Sequence, residues 1–147
     1  MAHSITLALA TLGFVHVPGP PVEAIIALSI VFVASEIIRS RQGQPGLTAR
    51  WPWIVSFTFG LLHGFGFAGA LSEVGLPQQS IPMALLTFNL GVEAGQLMFV
   101  AAAILLHAIG RRVSISPPEW VYSVPAYAIG GVAAFWLIQR TVGFWDV

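Results

Sequence analysis

The feature that most limits what this chain can fold into is a series of long apolar segments separated by polar or proline-containing stretches. Five can be drawn, at about 2–17, 21–39, 52–73, 80–109 and 118–139. A helix that crosses a bilayer needs about 20 apolar residues, so the first segment is short and the others are adequate. None alternates with the period of two that a barrel strand requires. The sequence therefore predicts an all-α polytopic transmembrane bundle of about five helices.

Composition supports a membrane protein of one domain, residues 1–147. Hydrophobic residues make up 56% of the chain and charged residues 8%, whereas soluble domains carry about 25% charged residues. The formal net charge is zero, and the six cations are scattered arginines. We therefore expect no nucleic-acid partner. Cysteine is absent, which excludes disulfides and thiolate chemistry.

The arginines indicate an orientation in the membrane. Loops rich in arginine and lysine face the cytoplasm, and five of the six arginines lie in the loops after the second and fourth segments: Arg39, Arg41, Arg50, Arg111 and Arg112. Only Arg140 falls on the opposite side. With five spans this places the N-terminus in the cytoplasm and the C-terminus outside. We expect an integral protein of a bacterial inner membrane.

Residues 64–69 spell G-F-G-F-A-G, which matches the G-x-G-x-x-G of dinucleotide-binding turns. That motif needs a preceding strand, and here it lies inside an apolar helical segment. Small residues also let neighbouring membrane helices approach closely. Gly60, Gly64 and Ala68 recur every four residues, and the two glycines of the fourth segment repeat this spacing. We interpret the glycines as a close contact between the third and fourth segments.

The third and fourth apolar segments carry polar residues well inside their bounds. His63 lies near the middle of the third, and Asn89, Glu93 and Gln96 share one face of the fourth. A carboxylate at bilayer depth costs about 2.5–3.5 kcal/mol and should face protein or water. Imidazole and oxygen ligands suit divalent first-row metals such as nickel. A proton relay, or a hydrogen bond that only clasps two helices, would give the same pattern.

The remaining polar residues have weaker signals. His3 is either a residue at the membrane interface or a metal ligand. Glu36 either forms a surface ion pair with Arg39, three residues further on, or is a metal ligand. Glu23 follows a proline cluster, which favours a capping role in the first turn of a helix. Ser29 is expected to hydrogen-bond within its own helix.

Four blocks of the sequence resemble the HupE/UreJ family: AHSITLALATLG, VEAIIALSIVFVASE, FGLLHGFGFAGALSEVGLP and ALLTFNLGVEAGQL. The family is associated with hydrogenase and urease accessory functions and is generally taken to comprise nickel permeases. Its members usually have a further upstream helix with an HxxxGxDH-like motif, whereas this chain begins at the AHS block. The resemblance implies that the matched polar residues line a metal path: His3, Ser4, Glu23, Ser29, Glu36, His63, Glu73, Asn89, Glu93 and Gln96.

The resulting hypothesis is transport or handling of a divalent metal, nickel in particular, for metalloenzyme maturation. His63 and Glu93 would be the central ligands, helped by Asn89 and Gln96, with His3 and Glu36 as further candidates. The alternative is a non-transporting subunit or assembly factor of a larger membrane complex. A haem carrier would need a second axial ligand at the depth of His63. We expect no enzymatic activity and no tightly bound cofactor; besides lipid and metal, a homo-oligomer or larger complex stays open.

Overall fold

A computed structural model describes residues 2–73, 75, 78–112 and 118–144. These residues form helices and turns without a β-strand, so the all-α prediction is confirmed. The α-helices are α1 (Ala2–Thr11), α2 (Gly19–Arg41), α3 (Leu47–Arg50), α4 (Pro52–Glu73), α5 (Ile81–Arg112) and α6 (Val124–Val142). Short 3-10 turns at Gln78–Ser80 and Glu119–Ser123 lead into α5 and α6. Four helical stretches are long and apolar enough to span a membrane: α2, α4, α5 and Glu119–Val142.

The first apolar segment, about 2–17, contains a short helix that ends before the segment does. The helix α1 has 10 residues, about 15 Å at 1.5 Å per residue, which is half of a hydrocarbon core. It ends because Gly13 adopts φ +81°, a left-handed conformation that glycine adopts without strain. The Phe14 N–H then donates to the Leu9 carbonyl at 2.9 Å, and the Gly13 N–H to Ala10 at 3.0 Å. These are the two bonds of a Schellman ending.

The bounds of α2 also follow sequence signals. Proline at the start of the helix loses no hydrogen bond there, because the first N–H groups lack intrahelical partners. At the other end Gly43, at φ +81°, repeats the left-handed stop, and the Gln44 N–H donates to the Arg39 carbonyl at 3.0 Å. Ser29 Oγ donates to the Ile26 carbonyl at 2.7 Å, which confirms its predicted bond within the helix.

Contacts divide the chain into two compact units. The first comprises Met1–Gly75 and Ser123–Val147, and the second Leu76–Tyr122. Within the first unit, α2 packs against α6 and α4, and α1 packs against α4. Its buried hydrophobic core consists largely of small side chains, which allows close approach of helices: Ala24, Ala27, Ala34, Ala68, Ala126 and Ala133. The second unit contains α5. The single-domain assignment stays a prediction.

The glycine face of α4 packs against α1. A Cβ on Gly64 would overlap both the hydroxyl of Thr6 and the carbonyl oxygen of His3, and one on Gly60 would also meet α1. Thr6 Oγ1 uses this proximity to donate to the Leu61 carbonyl at 2.7 Å. The prediction that these two glycines pack against the fourth segment is therefore wrong. Small-residue spacing indicates a close neighbour but carries no information on which helix it is.

Gly64→Ala should lower the free energy of unfolding by about 1–3 kcal/mol, the usual cost of overpacking a tight contact. Two backbones and a hydroxyl would have to move apart to admit the methyl group. The measurement is a denaturant titration in detergent micelles, followed by circular dichroism. Gly69→Ala is the matched control, because it lies in the same helix and its added Cβ meets no atom within 4 Å. Equal stability losses in both variants would contradict the α1–α4 contact.

Candidate functional site

His63 lines a cavity of about 340 Å³ in the first unit, bounded by α2, α4 and α6. The apolar part of its lining comprises Ile26, Ala27, Ile30, Gly66, Phe67 and Trp136. Its charged or titratable members are His63, Glu23 and Arg140, one from each of the three helices. A mostly apolar cavity with a few convergent polar groups is the usual form of a binding site.

The ring of His63 is held by its own helix. Its Nδ1 lies 2.7 Å from the Phe59 carbonyl oxygen, one turn earlier in α4. A carbonyl oxygen only accepts, so Nδ1 donates in this bond, and in the matching tautomer of a neutral imidazole Nε2 holds the lone pair. A hydrogen bond at one ring nitrogen is the usual device that orients the other nitrogen toward a metal. In this arrangement Nε2 is the ring nitrogen that could bind a metal, and the role of His63 as a ligand stays a prediction.

Glu23 and Arg140 form an ion pair across the ends of α2 and α6. Arg140 Nε lies 2.7 Å from Glu23 Oε2, and the two side chains are 50% and 46% exposed. A half-exposed pair contributes little to stability, at most about 1 kcal/mol. Because α2 begins at Gly19, Glu23 is its fifth residue and lies beyond the first turn. The expected capping role of Glu23 is therefore wrong.

A second cavity adjoins the first at Glu23. It has a volume of about 420 Å³, and Glu23 and Gly66 line both cavities. The loop after α1 contributes His16 and the end of α4 contributes Ser72, so this cavity adds polar groups near the Glu23 carboxylate. Glu23 is thus the acidic group common to the two spaces.

His3 is close to the His63 cavity but separated from it by one residue. Its side chain is 7% exposed, and its ring meets Phe67 edge-on with 6.1 Å between centroids. Phe67 in turn lines the cavity. Since the backbone of His3 also lies against Gly64, the position of His3 is set by the α1–α4 contact.

Glu36 has a role that neither sequence-based interpretation anticipated. It is only 5% exposed, so a surface ion pair is wrong. Its Oε2 accepts from the Thr48 N–H at 3.0 Å and from the Thr48 hydroxyl at 3.2 Å. A carboxylate at this position satisfies a free N–H in the first turn of α3 and interacts favourably with the helix dipole. Glu36 lies six residues beyond Ile30, about 9 Å further along α2 from the cavity lining.

The remaining candidates belong to α5 in the second unit. Asn89, Glu93 and Gln96 lie on one continuous helix, and their spacings of four and three place them on one face. Asn89 Nδ2 donates to the Leu85 carbonyl at 2.8 Å. In the described part of the chain, no group of three or more His, Asp or Glu side chains is arranged to hold a metal ion. The pairing of His63 with Glu93 stays a prediction.

Comparison with known proteins adds one finding. The family model described as HupE / UreJ protein matches residues 1–140. The chain belongs to the HupE/UreJ family. No curated protein and no solved structure matches it. Membership confirms the resemblance seen in the sequence and, with the four long apolar helices, makes this HupE/UreJ protein an integral membrane protein.

Sequence reasoning missed the ion pair that lines the cavity in this HupE/UreJ protein. Arg140 is the sole arginine assigned to the outer side, and Glu23 begins a segment predicted to start on that side. Opposite charges at the same membrane depth were therefore a usable signal. The two residues are more than 100 positions apart in the sequence, and such a separation does not indicate which helices are neighbours.

Glu36→Gln should destabilise the loop that contains α3. Loss of a capping group costs about 0.5–2 kcal/mol, so limited proteolysis within residues 42–50 should become faster. Thr48→Val is the matched variant, since it removes the hydroxyl bond but keeps the N–H bond and should have a smaller effect. Cleavage at the wild-type rate in Glu36→Gln would show that the cap does not hold this loop.

Proposed function

We propose that this HupE/UreJ protein binds and conducts a divalent first-row cation, in particular Ni²⁺, to supply metalloenzyme maturation. The observation that supports this most is the orientation of His63: its Nδ1 is engaged with Phe59, and its ring lines a cavity between three helices. Imidazole is a ligand common to nickel, zinc, copper and iron. The cation is here a substrate that passes through.

A sparse ligand set suits a conducting protein. Conduction requires a site favourable enough to enter and weak enough to leave. In the proposal His63 supplies the strongest neutral ligand, and the amide oxygens of Asn89 and Gln96 replace part of the hydration shell. Glu93 supplies the negative charge that a cation needs at membrane depth, where a carboxylate is costly unless it has a partner. His3 and Glu36 remain secondary candidate ligands, because each also has a packing or capping role.

The proposed orientation places the Glu23–Arg140 end of α2 and α6 outside the cell. The opposite end of α2 carries Arg39 and Arg41, and loops rich in arginine face the cytoplasm. The positions of the arginines support the direction of α2, α4 and α6 across the membrane, whereas α1 is too short to be counted as a span. The cytoplasmic N-terminus, which depended on five spans, is not part of the proposal.

His63→Ala should reduce nickel uptake by cells that depend on this protein. Removing an outer-shell partner of a metal ligand already costs about 10–100-fold in affinity, so loss of the ligand itself should cost at least that much. The measurement is radioactive nickel uptake at limiting nickel, normalised to the amount of protein in the membrane. His107→Ala, an exposed histidine near the end of α5, is the matched control and should transport normally. Normal uptake by His63→Ala would refute the ligand assignment.

Glu93→Gln tests the contribution of α5. Purified wild-type protein in detergent should bind nickel stoichiometrically, and the variant should bind at least about tenfold more weakly, because it lacks the negative charge. Glu119→Gln is the matched control, an exposed carboxylate in the turn before α6. Should neither wild type nor variant bind nickel while a protein partner copurifies, the subunit or assembly-factor hypothesis would replace the permease.

A further inference from the structure

The His63 cavity contains a positive charge that belongs to the protein. Arg140 and Glu23 both line this cavity, with 2.7 Å between Arg140 Nε and Glu23 Oε2. A guanidinium stays protonated under all physiological conditions. While the ion pair is formed, the positive charge of Arg140 neutralises the Glu23 carboxylate, which would otherwise attract a mobile cation.

We infer that the Glu23–Arg140 ion pair is a charge gate of the His63 cavity, in which Arg140 is a tethered cation that an entering cation must displace from Glu23. The inference rests on the proposed function, because a gate for cations has a purpose only if cations enter. It assigns Arg140 as a residue that determines specificity, a role distinct from that of a ligand.

The exposure of the pair makes opening feasible. Both side chains are about half exposed, and in the proposed orientation they lie at the outer ends of α2 and α6, where water can reach them. Ion pairs in contact with water are weak and exchange readily with water and salt. Arg140 lies in the last turn of α6, two residues before its end at Val142, so the side chain can move without repacking of the helix core. A buried pair would instead be costly to break.

The gate also accounts for selection by charge. A divalent ion competes with the guanidinium for Glu23 more strongly than a monovalent ion does, because its attraction to the carboxylate is twice as large at equal distance. Without Arg140, Glu23 would carry an uncompensated charge between the two cavities that it lines. Monovalent cations would then enter more easily. The resting state is neutral, which also suits a group close to lipid.

The gate can be tested without nickel through the accessibility of a single thiol. The chain has no cysteine, so Ile30→Cys introduces a unique one in the cavity lining, seven residues and about 10 Å along α2 from Glu23. The full chain in detergent is treated with a cationic and a neutral methanethiosulfonate of similar size. The ratio of the two modification rates measures the effect of charge and cancels changes in general accessibility.

Adding Arg140→Gln to Ile30→Cys should raise this ratio about 2- to 10-fold, the effect of one unit charge about 10 Å away at an effective dielectric between those of water and protein. Arg140→Lys keeps the charge and should leave the ratio near that of Ile30→Cys alone. Glu23→Gln leaves the guanidinium uncompensated and should lower the ratio. If Arg140→Gln does not fold, Glu23→Gln still tests the gate, because it predicts a change of opposite sign.

An unchanged ratio in Arg140→Gln and in Glu23→Gln would overturn the gate, and so would an equal rise in Arg140→Lys. These results are independent of nickel binding. A flat ratio together with loss of nickel uptake in His63→Ala would reject the gate alone. The predicted change in ratio together with normal uptake by His63→Ala would reject the His63 assignment and keep the gate.

Discussion

The scarcity of water at membrane depth governs this structure, because each polar group there needs a partner within the chain. Several side chains meet the need by donating to a carbonyl of their own helix, as do Ser29, Thr87, Asn89 and Thr141. Such local bonds keep a helix apolar on its outside and leave it free to pack by shape. Polar groups that bond across helices, such as Thr6, then mark where two backbones come closest.

The same constraint gives Glu36 and His63 different surroundings. Glu36 is almost fully buried, and its carboxylate accepts two hydrogen bonds from Thr48, which accounts for its burial without a ligand. The His63 ring has one nitrogen engaged with a carbonyl and lines an open space. A side chain held in one orientation beside a cavity is prepared for exchangeable partners. On the proposed function, His63 is therefore a stronger candidate than Glu36 for contact with a passing ion.

The elements that the sequence predicts well depend on local chemistry. Long apolar segments predict α2, α4, α5 and the stretch that ends in α6, and the positive φ of Gly13 explains why α1 stops early. Residue spacing alone did not predict which distant segments pack together. The small-residue spacing at Gly64 does not name α1 as its neighbour, and the bond from Glu36 to Thr48 depends on a loop conformation.

On the proposed function, a weak interaction beside the cavity suits transport better than a strong one. A buried, fully satisfied carboxylate would bind its counter-ion too tightly for exchange, whereas a half-exposed pair changes partners at small cost. Glu23 and Arg140 form such a pair beside two cavities. On the proposed function, a cation that replaces the guanidinium at Glu23 has already lost part of its water when it meets Nε2 of His63. Desolvation is thereby divided into two steps, each smaller than the transfer of a hydrated ion directly into an apolar cavity.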